Sequence, residues 1–381
     1  MSNKTGDTFR NKAAVISSKE SLEKKLLEIL RKTMEKEIFD AILIPMKVPA
    51  GDSFAYVLIR DKNLLKDASF FSPVMPVQGA KVLSSITRLG KGNMKIAAVM
   101  RPCEIRAAIE LLKLNQVNLE NITLISMDCP GVLPLSSFVD NPEKSLSLFN
   151  KALQNWDDKI MRPTCQICDK SNMITGDVHI GILGAKKDNF FLISNSQKGN
   201  KMIDELGLTL KENVLDDWRA KSEERSKEKH MKRKKAFKDL KSKIGNLDKL
   251  LDVFSKCINC HNCMRACPIC YCRLCYFDSD KMKHPPEDYF ERAERKGSMR
   301  FLPDTILFHI GRMTHMSLSC VSCGSCEDAC PMSIPVAQIF SMVADETQGL
   351  FDYVSGRDIE EPIPLVTYKE EELHEVEDTH D

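Results

Sequence analysis

The stretch KIAAVMRPCEIRAAIELLKLNQVNLENITLISMDCPG (95–131) decides the fold class. KIAAVM (95–100) and ITLISM (122–127) are short apolar runs, and CEIRAAIELLKL (103–114) between them repeats apolar residues at helical spacing. Run, helix and run read as one β-α-β unit, which joins parallel strands. The alternation extends both ways. Upstream lies a helix over 18–36, with Leu22, Leu26, Ile29, Leu30 and Met34 on one face and Ser17 or Ser18 as N-cap. The runs AILIP (41–45) and FAYVLIR (54–60) and a helix over 79–89 ending at Gly90 come next. Downstream come VHIGIL (178–183), NFFLIS (189–194) and a short helix over 199–206. The pattern predicts an α/β domain with a mainly parallel sheet over residues 1–217.

The rest of the chain of 381 residues is different. WRAKSEERSKEKHMKRKKAFKDLKSK (218–243) is densely charged and free of Pro and Gly, so 218–250 reads as a charged helical linker; the alternative is a basic docking surface for an acidic coenzyme or partner. A cysteine-rich region covers 251–340, with helical stretches DYFERAERK and TILFHIGRM, and 341–381 is expected to be an extended acidic tail. Lys plus Arg total 55 against 54 Asp plus Glu, which gives no global field for a nucleic acid. No apolar run is long enough to cross a bilayer, and the N-terminus MSNKTGDTFRNK is polar, so a soluble cytoplasmic protein is expected.

Cysteine carries the chemistry. There are 15, and eleven fall between Cys257 and Cys330, a density that in a cytoplasmic chain points to metal thiolates. Cys257, Cys260, Cys263 and Cys267 form C-x2-C-x2-C-x3-C before Pro268, and Cys320, Cys323, Cys326 and Cys330 repeat it before Pro331. This is the run of a two-cluster ferredoxin, in which the fourth cysteine serves the other cluster. The expected sets are therefore Cys257, Cys260, Cys263 and Cys330 for one [4Fe-4S] cube, and Cys320, Cys323, Cys326 and Cys267 for the other. Two complete copies with their terminal prolines argue against zinc or free thiols. The long interval between the runs predicts a mostly helical domain rather than a minimal ferredoxin.

The β-α-β unit points to a third site. Cys103 and Cys129 both emerge after strands, at the carboxyl edge where open α/β sheets bind ligands, and Cys103 opens a helix whose dipole favours a thiolate. With the later pair Cys165 and Cys168, these are four candidate thiolates; spacing alone leaves a cluster, zinc and unliganded thiols all open. Cys270, Cys272 and Cys275 (PICYCRLC) stay unassigned between a further metal site and a redox-active or structural thiol group.

RPCEIRAAIELLKLNQVNLENITLISMDCPG (101–131), CINCHNCMRACPICYCRLC (257–275) and SCVSCGSCEDACPMSIPVAQIF (319–340) resemble the beta subunits of methanogen-type formate dehydrogenase and of coenzyme F420-reducing hydrogenase. The resemblance to the former runs from residue 18 to Pro364. Hydrogenase-type members hold a cluster with a Pro-Cys after a strand, a second strand-end Cys and a later C-x2-C, which match Cys103, Cys129, Cys165 and Cys168 and imply a third [4Fe-4S] cluster. The resemblance also implies an FAD at the carboxyl edge of the sheet that exchanges a hydride with the deazaflavin. Ser72 and Pro73 match a Ser-Pro near that flavin, and Asp177, Gly181 and Gly184 match the segment after the C-x2-C pair. Two departures stand out: AAVISSKESLEKK replaces a Gly-Gly pair before the first helix, and AKKDNFF replaces a Gly-Trp after Gly184.

The motifs and the resemblance together imply an oxidoreductase subunit that moves electrons between an FAD-linked two-electron carrier, such as coenzyme F420, and a catalytic formate dehydrogenase or hydrogenase subunit. The alternative is a flavin-free relay between such a subunit and a heterodisulfide-reductase-like complex. A third reading, an iron-sulfur sensor, finds no DNA-binding helix pattern to support it. No catalytic residue is nominated. The chain shows no molybdopterin domain, no nickel-type cysteine pairs and no convincing nicotinamide fingerprint, so the primary donor is oxidised elsewhere.

Overall fold

A computed structural model describes residues 12–185, 189–272, 274–299, 302 and 304–366. Among these, eight strands form one sheet: β1 (Lys12–Ser17), β2 (Ala41–Lys47), β3 (Phe54–Ile59), β4 (Ile96–Val99), β5 (Ile122–Met127), β6 (Val178–Gly181), β7 (Asn189–Ser194) and β8 (Lys211–Glu212). Their order is β3-β2-β4-β5-β6-β7-β1-β8. The centre, β2-β4-β5-β6, is parallel, and the flanks pair antiparallel. All six residues of β5 are buried, as befits a strand with both faces covered.

Helices α1 (Leu22–Glu35), α2 (Gly79–Ile86) and α3 (Pro102–Lys113) cover this sheet. Pro102 opens α3 at a position whose N–H has no helical partner. Beneath it the buried Glu104 carboxylate accepts the Arg101 N–H (3.0 Å), the Tyr56 hydroxyl (2.8 Å) and the Gly79 N–H (2.8 Å), and pairs with the Arg101 guanidinium at 3.2 Å. One acid thus ties β3, α2 and α3. Burial, reinforced by Glu104, pushes the Tyr56 phenol up and keeps it a donor.

Two local readings change. KAAVIS is a strand, β1, paired with β7, and Ser17 belongs to it: its hydroxyl donates to Asn189 Oδ1 at 2.7 Å. The N-cap of α1 is Ser21 rather than Ser17 or Ser18, because the strand already holds Ser17. Helices Leu135–Asp140 and Pro142–Asn155 also stand where the sequence reading placed no element.

The charged stretch forms α4 (Asp216–Ile244), a single helix of 29 residues. It is more than a solvated connector, since Trp218, Lys229, Arg233 and Leu240 are buried. After it come α5 (Thr305–Met316), α6 (Val336–Leu350) and several short helices. An extended tail from 341 is not what the structure has. Helix α6 crosses that boundary, because its apolar residues complete a core stripe: Ala337, Phe340 and Ala344 are buried. Beyond it Tyr353 donates to Glu110 Oε1 (2.6 Å), as does the Gly356 N–H (2.6 Å), while Arg106 Nε donates to the Ser355 carbonyl (2.8 Å). Residues 367–381 lie outside the described residues. One apolar cluster runs from Ala98, Ile105 and Leu124 to Phe254, Met264, Phe308 and Phe340, so the sheet and the cysteine-rich region share a core. Among the described residues no helix is long and apolar enough to cross a membrane.

Candidate functional site

The two cysteine runs fold alike. Asn259 and His261 take left-handed conformations (φ 54° and 58°), and so do Ser322 and Gly324 (57° and 82°) at the equivalent places of the second run. Successive turns of this kind aim backbone N–H groups inward and make an anion-binding nest. The N–H of Asn259 points at the Cys257 thiol, that of Ser322 at Cys320 and that of Ser325 at Cys323.

The fourth cysteines cross over. Cys267 lines one cavity with Cys320, Cys323 and Cys326. The groups acting on the Cys263 thiol include Cys257, Cys330 and Cys260. Burial pushes the Cys263 thiol up to about 11 and Cys320 up to about 12. A metal that takes these sulfurs displaces their protons, so loading is favoured as pH rises. The donor set, all thiol and arranged four by four, suits two cubes. Among the described residues no three His, Cys, Asp or Glu side chains converge on one point closely enough for a single ion; tetrahedral zinc would bring its thiolates within about 4 Å of one another. Serine in place of Cys267 is expected to alter the EPR signal of the cube held by Cys320, Cys323 and Cys326 before that of the other cube. The reverse order would overturn the crossed pairing.

The third set also assembles in one place. Cys103 near the start of α3, Cys129 after β5, and Cys165 and Cys168 around the short helix Pro163–Gln166 line a common cavity. Gly131 (φ 106°) permits this approach, because a Cβ there would stand 3.0 Å from Cys165 Cβ. Lys229 of α4 donates to the carbonyls of Cys165 (3.0 Å) and Gln166 (2.9 Å) and pairs with Asp158, which explains a buried lysine in a charged helix. Burial pushes the Cys129 thiol up to about 12.

This cavity reaches the second run. Ser322 and Cys323 belong to its lining. The Arg162 guanidinium donates to the Cys323 carbonyl and pairs with Asp328 at 3.4 Å. A side chain at Gly324 would collide with Thr164, beside Cys165. Arg233 of α4 clamps Asp345 through two bonds of 2.6 and 2.7 Å and reaches Ser322 Oγ at 3.0 Å. Helix α4 therefore straps both cysteine loops together.

The five residues matched to a flavin site are placed as follows. The Ser72 hydroxyl and carbonyl accept from Arg101 Nη2 (2.6 and 2.7 Å), and the Pro73 carbonyl accepts the Leu133 N–H (2.8 Å). Asp177 sits at the amino end of β6, where its carboxylate accepts the Leu124 N–H (2.8 Å) and the Ser196 hydroxyl (2.5 Å). Gly181 and Gly184 pack on α4: a Cβ would stand 2.8 Å from Trp218 Nε1 and 2.8 Å from the Asp217 carbonyl. Each of the five also makes contacts within the fold. Next to Cys129, Asp128 Oδ2 accepts Trp218 Nε1 (2.8 Å) and the Ile182 N–H (2.7 Å), while Oδ1 meets His179 Nε2 at 3.1 Å. The sequence reading missed this buried network; the acid directly before a strand-end cysteine was its one visible sign. Of the unassigned thiols, Cys270 packs beside Cys267 with its sulfur 2.9 Å from Met316 Sδ, Cys275 lies 3.8 Å from Met264 Sδ, and Cys272 is exposed.

Residues 253–334 match the 4Fe-4S dicluster domain family. The F420-dependent formate dehydrogenase subunit beta of Methanocaldococcus jannaschii is 26% identical over 85% of this chain and 89% of its own length. The F420-dependent formate dehydrogenase 1 subunit beta of Methanococcus maripaludis is 25% identical over 87% of this chain and 90% of its own. A solved structure, the xenon-derivatized F420-reducing [NiFe] hydrogenase complex of Methanosarcina barkeri, aligns with a TM-score of 0.45 at 13% identity, covering 63% of this chain and 94% of its own. Over most of its length the chain is similar to the beta subunits of F420-dependent formate dehydrogenase, and its C-terminal region carries a 4Fe-4S dicluster domain.

Proposed function

We propose that this chain is an iron-sulfur electron-transfer subunit of an oxidoreductase, with three [4Fe-4S] clusters in line. The carrying observation is the order of the cysteine sets: Cys103, Cys129, Cys165 and Cys168 adjoin the loop of Cys323, and Cys267 joins that loop to the run of Cys257. Each cluster, when bound, accepts and releases one electron. The chain's own residues hold the sets close. Arg162 and Thr164 fix the first junction, and α4 clamps it from outside through Lys229 and Arg233.

The names of the relatives support ends that face a catalytic formate dehydrogenase subunit and a two-electron carrier such as coenzyme F420, and the resemblance of the motifs implies a hydrogenase subunit as the alternative partner and an FAD that would split the hydride's electron pair. The flavin-free relay, with a heterodisulfide-reductase-like partner, is the second reading. The two departures, AAVISSKESLEKK in place of a Gly-Gly pair and AKKDNFF in place of a Gly-Trp, favour it. Anaerobic purification followed by denaturation separates the two: about one flavin per chain supports the first, and iron-saturated protein that releases none supports the relay. A chain that binds no iron at all would reject both.

A further inference from the structure

We propose that Arg312 is a tuning residue that raises the reduction potential of the cube held by Cys257, Cys260, Cys263 and Cys330. The proposal rests on the cluster assignment above and goes beyond it by assigning a potential to one place in the line. Arg312 lies on α5, outside both cysteine runs, and is 2% exposed. Its Nη1 donates to Cys263 Sγ at 3.1 Å and its Nη2 to the Cys263 carbonyl at 3.1 Å.

What sets this arginine apart is a cysteine sulfur in the place of an acid: Arg106 is likewise buried without a salt bridge, but it bonds only to oxygens of Ser355 and Val321. Arg101, Arg162 and Arg233 are also buried, and each faces a carboxylate: Glu104, Asp328 and Asp345. Among the described residues Arg312 forms no salt bridge. It lies between the rings of Phe308 and Phe340, 5.4 and 4.8 Å from their centroids, and its Nε is buried with no partner. The groups that act on its charge are sulfurs, Cys263 first, then Cys270, Cys267 and Cys326. A guanidinium cannot shed its proton in a protein, so this is a fixed positive charge in an apolar pocket. Leaving it unpaired would be costly. Metal-bound thiolates supply the missing negative charge.

The consequence is directional. One-electron reduction adds one negative charge to the cube, and a buried cation bonded to a ligand sulfur stabilises the reduced form more than the oxidised one. Hydrogen bonds to cluster sulfurs act in the same sense. Arg162, which stands at the junction of the other two sets, is neutralised by Asp328, so its pull is weaker. The sulfur that Arg312 bonds directly is that of Cys263, so the larger shift is expected at this cube, with a smaller one at the cube that Cys267 and Cys326 help to hold.

An EPR-monitored redox titration of the full chain, under anaerobic conditions, tests this in wild type, Arg312→Gln and Arg312→Lys. Gln keeps an N–H donor and removes the charge. At a fixed applied potential, its oxidised-to-reduced ratio for this cube is expected to rise tenfold or more, which for one electron is a downward shift of about 59 mV. Lys keeps the charge and is expected to restore most of that shift. An arginine with only a packing role would leave the potential unmoved in both variants, and that result, with iron content intact, overturns the proposal. Should Arg312→Gln lose iron, wild-type protein labelled with 15N-arginine decides: pulsed EPR is expected to find an arginine nitrogen coupled to the reduced cube, and its absence overturns the proposal. Wild-type protein with no cube signal would instead remove the underlying assignment.

Discussion

Serine at both Cys165 and Cys168 is expected to lower the iron of the anaerobically purified chain by a third, from about twelve atoms to about eight. The two remaining cubes should keep their EPR signals, while electron flow through the sheet domain falls by orders of magnitude. The local fold should survive the change, because serine is close in size to cysteine and the backbone there is held independently. Lys229 binds the carbonyls of Cys165 and Gln166, the Arg162 N–H donates to the Val132 carbonyl at 2.8 Å, and the Cys129 N–H donates to the Ser171 carbonyl at 2.9 Å. None of these contacts uses a thiol. Lost iron with retained fold would mark the pair as metal ligands rather than structural thiols. Wild-type protein with about eight iron atoms, or a double variant that keeps about twelve, would remove the third cluster.

Much of this arrangement is readable from the sequence where its signals are local. ITLISM and NFFLIS coincide with β5 and β7 because each is a short, bounded apolar run. The two cysteine runs announce their own chemistry by spacing, and the β-α-β unit predicts that Cys103 and Cys129 meet. Other features rest on partners distant in the chain. Lys229 and Arg233 look like any charge of a solvated helix, yet the carbonyl of Cys165 lies 64 residues before Lys229 and Asp345 lies 112 after Arg233. Strand β1 is hidden in the sequence because two of its three buried residues are the small Ala13 and Ala14, and Val15, though apolar, is exposed, so the run shows no clean alternation. Arg312 carries no motif at all; its meaning comes from Cys263, 49 residues earlier.

Removal of the iron by anaerobic chelation is expected to open the chain between 257 and 330 while leaving the sheet folded. The helices that carry ligands there are very short: Asn262–Ala266 has five residues and Ser325–Asp328 has four. Isolated helices below about 12 residues are marginal in water, so these need anchors. The anchors are cysteines, since Cys263 and Cys326 lie within these helices and Cys267 and Cys330 just beyond them. Left-handed Asn259, His261 and Ser322 add strain of roughly 1 kcal/mol each that the metal site must offset. Without metal the Arg312 charge also loses its counter-charge. Metal-binding free energy is then folding free energy for this region. By contrast β5 is buried along its whole length and paired on both sides. Limited proteolysis should show new cuts between 257 and 330 in the stripped protein, with loss of helical circular dichroism and recovery on adding iron and sulfide. Because Phe254, Phe308 and Phe340 share an apolar cluster with Ile105 and Leu124, the opening should also lower the melting temperature of the sheet domain. Equal protease resistance with and without iron would mean that side-chain packing alone holds the ligand loops, and that the cysteines are not their anchors.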